Sequence, residues 1–143
     1  MYEIEKRFTL PIGHRLSKHL GRCSSIHGHN FTVMVGVKSE ILNDNYMVID
    51  FSDLKKIIKE VLDRWDHTLL INKDDKDILE LCQSKNMRVI TLDYDPTAEK
   101  LSETIYLAID ALLPSPLYLN YITVYENMLM GRLLLYKPLS VLR

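Results

Sequence analysis

Cysteine is scarce in this chain, and the two that occur, Cys23 and Cys82, cannot build a framework of disulfide bridges. Basic charge is not in excess: 18 Lys and Arg stand against 19 Asp and Glu, so the electrostatic footprint of a nucleic-acid-binding protein is missing. No apolar run approaches the roughly 20 residues that a membrane-spanning helix needs. Glycine and proline are sparse and scattered, which leaves no repeat, low-complexity tract or flexible linker. The acidic opening Met1-Tyr2-Glu3-Ile4-Glu5 is unlike an export signal, so a cytoplasmic protein with reduced thiols is expected. What remains is a composition of 47% hydrophobic and 26% charged residues, that of a globular protein. Its 143 residues suit a single domain, 1–143, large enough to bury a core.

Hydrophobic periodicity orders the elements. Residues 2–10 alternate weakly and predict a first strand. Residues 29–38 alternate more clearly, with Phe31, Val33, Val35 and Val37 against Thr32, Met34, Gly36 and Lys38, and predict a second. From Ser52 the period changes, and Leu54, Ile57, Ile58, Val61, Leu62 and Trp65 form one helical face, with Asp50 or Ser52 as its cap. A short helix is expected near 75–83 and a strand over 88–93. Asp95-Pro96-Thr97 then opens a second long helix carrying Leu101, Ile105, Ala108, Ile109 and Leu112, which Pro114 and Pro116 end. Two last strands, 118–126 and 130–137, flank a turn near Met128 to Gly131. The order ββαβαββ implies an α+β fold, an antiparallel sheet with two long helices on one face. So small an open sheet has two edges to pair or cover, and assembly edge to edge is one solution.

Chemistry concentrates in Cys23-Ser24-Ser25-Ile26-His27-Gly28-His29. In extended backbone, side chains two apart share a face, so His27 and His29 can converge on one point while Gly28 leaves room. Neutral imidazole is a favoured zinc ligand, and a catalytic zinc usually takes three protein ligands and keeps one position open. His14, at the end of the first strand, is the candidate third, because a hairpin would bring it beside the pair; His19 is a rival on spacing alone. Taken singly, each histidine reads as an ordinary hydrogen-bonded residue, and only the His-Gly-His pairing lifts the metal reading. Cys23 beside Arg22 reads as a reactive thiol or as a small buried hydrophobe, the reading adopted for Cys82. Asp66-His67 forms an acid–base pair or a cation complementing a helix end. Glu126 closes a strongly β stretch, either in water or inside a pocket reading hydrogen-bond donors.

In order along the chain, these pieces resemble the 6-pyruvoyltetrahydropterin synthase / 6-carboxytetrahydropterin synthase family. The resemblance is carried by Phe8, His14-Arg15-Leu16, Cys23-x-x-x-His27-Gly28-His29, Asp50-Phe51, Asp66-His67-Thr68-Leu69-Leu70-Ile71-Asn72, Pro96-Thr97-Ala98-Glu99 and Glu126. The spacing from Cys23 to His27 resembles the bacterial carboxy branch, which serves queuosine and other deazapurine synthesis. The resemblance implies a tunnelling fold (T-fold), whose sheets join edge to edge into trimeric barrels that stack as a homohexamer. It implies zinc on His14, His27 and His29, with Cys23 as general base working with Asp66 and His67 across a subunit interface. It places Glu126 and Thr97 on the pterin. The implied reaction converts 7,8-dihydroneopterin triphosphate to 6-carboxy-5,6,7,8-tetrahydropterin, acetaldehyde and triphosphate. Elimination of triphosphate to the pyruvoyl product and a non-catalytic pterin-binding homologue are the alternatives. Arg15, Lys18 and Arg22 would offset the triphosphate charge. The chain departs from the pattern at Leu10-Pro11-Ile12-Gly13, in a short His14–Cys23 loop, and at Asn127 and Met128, which bears on recognition of the substrate's side chain and phosphates.

Overall fold

The computed structural model describes residues 1–127 and, in backbone alone, 134–136. The strands are β1 (Tyr2–His14), β2 (His27–Ser39), β3 (Thr68–Asn72), β4 (Val89–Leu92), β5 (Tyr118–Tyr125) and β6 (Leu134–Tyr136). The α-helices are α1 (Phe51–Leu62), α2 (Lys76–Ser84) and α3 (Ala98–Asp110). The strands form one sheet in the order β4-β3-β1-β2-β5-β6. Pairings β1–β2, β2–β5 and β5–β6 are antiparallel, as expected, whereas β3 and β4 join beside β1 in parallel, so the sheet is mixed. Strand β3 went unread in the sequence because Thr68-Leu69-Leu70-Ile71-Asn72 is apolar on both faces and lacks alternation. The expected turn near Met128 to Gly131 lies outside the described residues.

The long hairpin of β1 and β2 is the spine. Even-numbered residues of β1 and odd-numbered residues of β2 share one face, and Leu10, Ile12, Phe31, Val33, Val35 and Val37 on that face are buried. Helices α1 and α3 cover it together, giving the expected arrangement of two long helices on one side. Asp50 caps α1 by accepting a hydrogen bond from Ser52 N–H at 2.7 Å, and the helix buries Leu54, Ile58, Val61 and Leu62. Helix α2 lies on the opposite face, where Ile78, Leu79 and Cys82 meet Leu69 and Ile71 of β3. Cys82 is therefore a buried apolar residue, as expected.

Both strands of the hairpin outrun the sequence expectation. β1 continues from residue 10 to His14, and β2 begins at His27 rather than 29, so all three candidate ligands lie within regular pairing. Strand β1 carries Pro11 and Gly13 in this stretch, which hid it from a reading by propensity.

Ile58 is fully buried between α1 and the sheet. Truncating Ile58→Ala should cost about 2–5 kcal/mol, read as a lower urea midpoint at unchanged slope. A midpoint equal to that of the unaltered protein would show that α1 does not pack as described.

Candidate metal centre

Cross-strand register builds the site. His14 lies directly opposite His27, and Ile12 opposite His29, so the three imidazoles lie on the face that carries the core. Ring centroids are 4.5 Å apart for His14 and His27, 5.2 Å for His14 and His29, and 5.1 Å for His27 and His29. Phe31 forms the floor, with its ring 5.4 Å from both His14 and His29. Gly28 faces the other way; a Cβ there would come to 3.0 Å from the Ile12 carbonyl oxygen. Its smallness lets the two strands approach and does not make room between the imidazoles.

The ring nitrogens are sorted by their carbonyl partners. His14 Nδ1 lies 2.9 Å from the Pro96 carbonyl and His27 Nδ1 lies 2.8 Å from the Ser25 carbonyl. A carbonyl only accepts, so each Nδ1 carries the proton and each Nε2 keeps its lone pair. His14 Nε2 and His29 Nε2 are buried and have no hydrogen-bond partner. An orphaned buried polar nitrogen costs about 1–3 kcal/mol, so two of them, with a third imidazole oriented beside them, fit a cation. One ligand atom from each of the three histidines lies within 4.8 Å of the others. Burial holds the His14 pKa below its usual 6.5; the Pro96 carbonyl opposes this, His27 adds to it, and nearby Glu126 pulls it upward. The neutral, ligating form of His14 is thus favoured.

Cys23, Thr97 and Glu126 meet in one cavity of about 200 Å³, which His19 and Glu99 also line. Cys23 is half-buried on a short turn of 3-10 helix, Arg22–Ser24. Thr97 caps α3 by accepting from Lys100 N–H at 3.3 Å, leaving its hydroxyl proton to donate. Glu126 follows directly on β5, close enough for its charge to act on His14. His19 is not part of the three-histidine cluster, and its Nδ1 accepts from Gly21 N–H at 2.8 Å. Spacing made it a rival only because the loop's course was unknown. Glu99 entered the sequence reading as part of a motif and stands here as a cavity residue.

His67 Nδ1 lies 3.0 Å from the Asp66 carboxylate, with His67 exposed and Asp66 partly so. His67 sits in the left-handed region at φ 52° with its N–H on the Pro11 carbonyl, a conformation uncommon for a non-glycine residue. His67 lines a cavity of about 370 Å³ with Pro11, Ile12, Gly13, Gly28, His29 and Asn30, at the end of the hairpin that carries the histidines. Neither Asp66 nor His67 lines the cavity that holds Cys23, Thr97 and Glu126. Arg15, expected near the triphosphate, is instead held by the Ser24 carbonyl and the Asp75 carboxylate.

The chain is similar to known proteins. The family profile described as 6-pyruvoyl tetrahydropterin synthase matches residues 3–130. A 6-carboxy-5,6,7,8-tetrahydropterin synthase of Haemophilus influenzae is 34% identical over 113 residues, spanning 74% of this chain and 80% of that protein. One from Aquifex aeolicus is 29% identical over 126 residues, spanning 73% and 76%. An uncharacterised protein of Wolinella succinogenes has a similar structure, with TM-score 0.76 and 19% identity over 95% of this chain and 97% of that one. The 6-pyruvoyl tetrahydropterin synthase of Caenorhabditis elegans gives TM-score 0.70 at 23% identity over 96% and 95%. These structural likenesses bear out the expected tunnelling fold.

Two outcomes test the centre. Purified protein should hold one divalent ion per chain, and His14→Ala or His29→Ala should each abolish stoichiometric binding by elemental analysis. Because the folded pKa of His14 is lowered, the unfolded chain takes up that proton first as pH falls. The stabilisation is complete above about pH 6.5 and is lost on acidification below it. The melting temperature of the metal-free protein should therefore decline between pH 7.5 and 5.5 (roughly one unit either side of the free imidazole value), and less steeply in His14→Gln. Equal slopes would contradict a neutral buried His14.

Proposed function

The chain belongs to the 6-pyruvoyl tetrahydropterin synthase family, and from that premise we propose that it is a zinc-dependent lyase that converts 7,8-dihydroneopterin triphosphate to 6-carboxy-5,6,7,8-tetrahydropterin, acetaldehyde and triphosphate. The names of its bacterial relatives support the carboxy product. The observation that carries the reading is the orphaned Nε2 pair of His14 and His29 near a cavity that holds a thiol and a carboxylate. Queuosine or another deazapurine pathway would take up the product.

The residues divide the work. Glu126 accepts two parallel hydrogen bonds from the donors on the pterin's 2-amino and ring N–H edge, and the Thr97 hydroxyl donates to an acceptor beside them. A buried carboxylate used in this way rejects analogues that lack those donors. His14, His27 and His29 would hold zinc, which when bound supplies Lewis-acid polarisation of the substrate's side-chain hydroxyls. Cys23 as thiolate removes a proton from the side chain. His67, oriented by Asp66, exchanges protons at the ring side.

That last role requires a second copy. His67 is exposed, and neither it nor Asp66 lines the cavity of Cys23, Thr97 and Glu126, so the pair serves the site of a neighbouring subunit. Strands β4 and β6 are the sheet edges among the described residues and offer backbone for edge-to-edge pairing. The assembly is a homohexamer, a dimer of trimers.

A second reading, elimination to the pyruvoyl product, draws on the description of the matching family profile. Product identification from 7,8-dihydroneopterin triphosphate separates the two. Acetaldehyde with the 6-carboxy product is expected, and triphosphate without acetaldehyde would transfer the assignment to the second reading. Cys23→Ala should lower turnover by about a hundredfold or more, the scale of a lost proton-transfer residue. Retained turnover would leave only a pterin-binding oligomer. Mixed oligomers of inactive Cys23→Ala and inactive His67→Ala chains should regain activity, because some sites then receive both native residues. If mixed oligomers form and stay inactive, the shared site is wrong.

A further inference from the structure

The segment between His14 and Cys23 is held to the body of the protein at one carboxylate. Asp95 Oδ1 accepts from the Ser17 hydroxyl at 2.7 Å and from the Asn72 side-chain amide at 3.1 Å, and its Oδ2 accepts from Lys18 N–H at 2.9 Å. Asn72 is buried in β3, and its own oxygen is taken by Asp74 N–H at 3.0 Å, so the carboxylate is gripped from the sheet side by a fixed donor. On the other side the loop is stiff in itself. Leu16 N–H reaches the Cys23 carbonyl at 2.9 Å and Arg15 Nε reaches the Ser24 carbonyl at 2.6 Å. Displacing Ser17 and Lys18 would therefore carry Cys23 with them.

The next two residues act on the same site. The Pro96 carbonyl fixes the His14 ring, and Thr97 lines the cavity beside Cys23. One turn of chain thus sets both the imidazole and the thiol. We propose that Asp95 is a positioning residue for the proton-transfer thiol: its carboxylate latches the loop of Ser17 and Lys18 so that Cys23 faces the cavity at a fixed distance from the metal-binding imidazoles. The proposal rests on the reading of Cys23 as the reacting group. An ionised carboxylate suits the task because it can accept from three donors at once, and charge-assisted hydrogen bonds are the stronger kind. Burial raises the Asp95 pKa, but the bonds from Lys18, Ser17 and Asn72 outweigh it and hold the group below the ordinary carboxylate value.

The test compares Asp95→Ala, Asp95→Asn and Ser17→Ala in the metal-loaded, assembled protein. It reads metal content, KM, kcat and the rate at which iodoacetamide alkylates Cys23, with buried Cys82 as internal control. Asp95→Ala should keep its metal and KM, lose kcat by about tenfold or more, as a misplaced reacting group does, and alkylate at Cys23 several times faster. Asp95→Asn, which keeps one accepting oxygen, should fall between, and Ser17→Ala should move the same readouts by less. A folded Asp95→Ala protein with unchanged kcat and alkylation rate overturns the latch. So does a parallel loss of metal, KM and kcat, the pattern of general destabilisation. If Asp95→Ala does not fold, an unaltered alkylation rate in Ser17→Ala overturns it. Should Cys23→Ala leave turnover intact, the function assigned to the thiol fails, while the alkylation rates still report whether the latch exists.

Discussion

The antiparallel register of β1 against β2 is the constraint on which the rest depends. It sets Leu10 against Phe31 and Phe8 against Val33 inside the core, and with the same alternation it sets His14 against His27 and Ile12 against His29 at the end of the hairpin. A slip of one residue would send the apolar set into water and the imidazoles to the opposite face. Burial of the valines and of Phe31 therefore holds the three-histidine cluster in place. The energy that specifies the site is hydrophobic, even though its chemistry is polar.

Polar groups at the centre are then satisfied one by one from neighbouring segments. Pro96 and Ser25 supply carbonyls that choose the imidazole tautomers, and Phe31 excludes water beneath them. What stays unsatisfied is the pair of Nε2 atoms that a cation would occupy. Burying polar groups without partners is costly, and the surrounding core has to sustain that cost while the site waits for its ligand.

The turn 95–97 ties three layers together. It carries the loop contact of Asp95, the ring contact of Pro96 and the helix cap of Thr97 within three residues. Its place between β4 and α3 gives it rigid neighbours on both sides. The Asp66–His67 pair has the opposite character, more exposed and backed by a strained φ at His67, and it does not line the cavity of Cys23, Thr97 and Glu126. In the proposed enzyme such a pair would complete a neighbouring subunit's site, by assembly and not by folding alone.

Much of this was legible in the residues. Alternation in 29–38 and the helical spacing after Ser52 and Thr97 are local periodicities, and local burial follows from them directly. The pairing of His27 with His29 needed only the two-residue repeat of extended chain. Strand β3, the continuation of β1 through Pro11 and Gly13, and the placing of α2 on the second face were not legible, because a doubly buried strand has no alternation and Pro and Gly mask strand propensity. The choice of His14 over His19 lay beyond sequence spacing as well. It was decided by the hairpin register, which sets His14 opposite His27. By itself the sequence determined which side chains share a face, since that depends on neighbours two to four residues apart. Only the tertiary structure decided which faces meet, since that depends on how distant segments exclude water together.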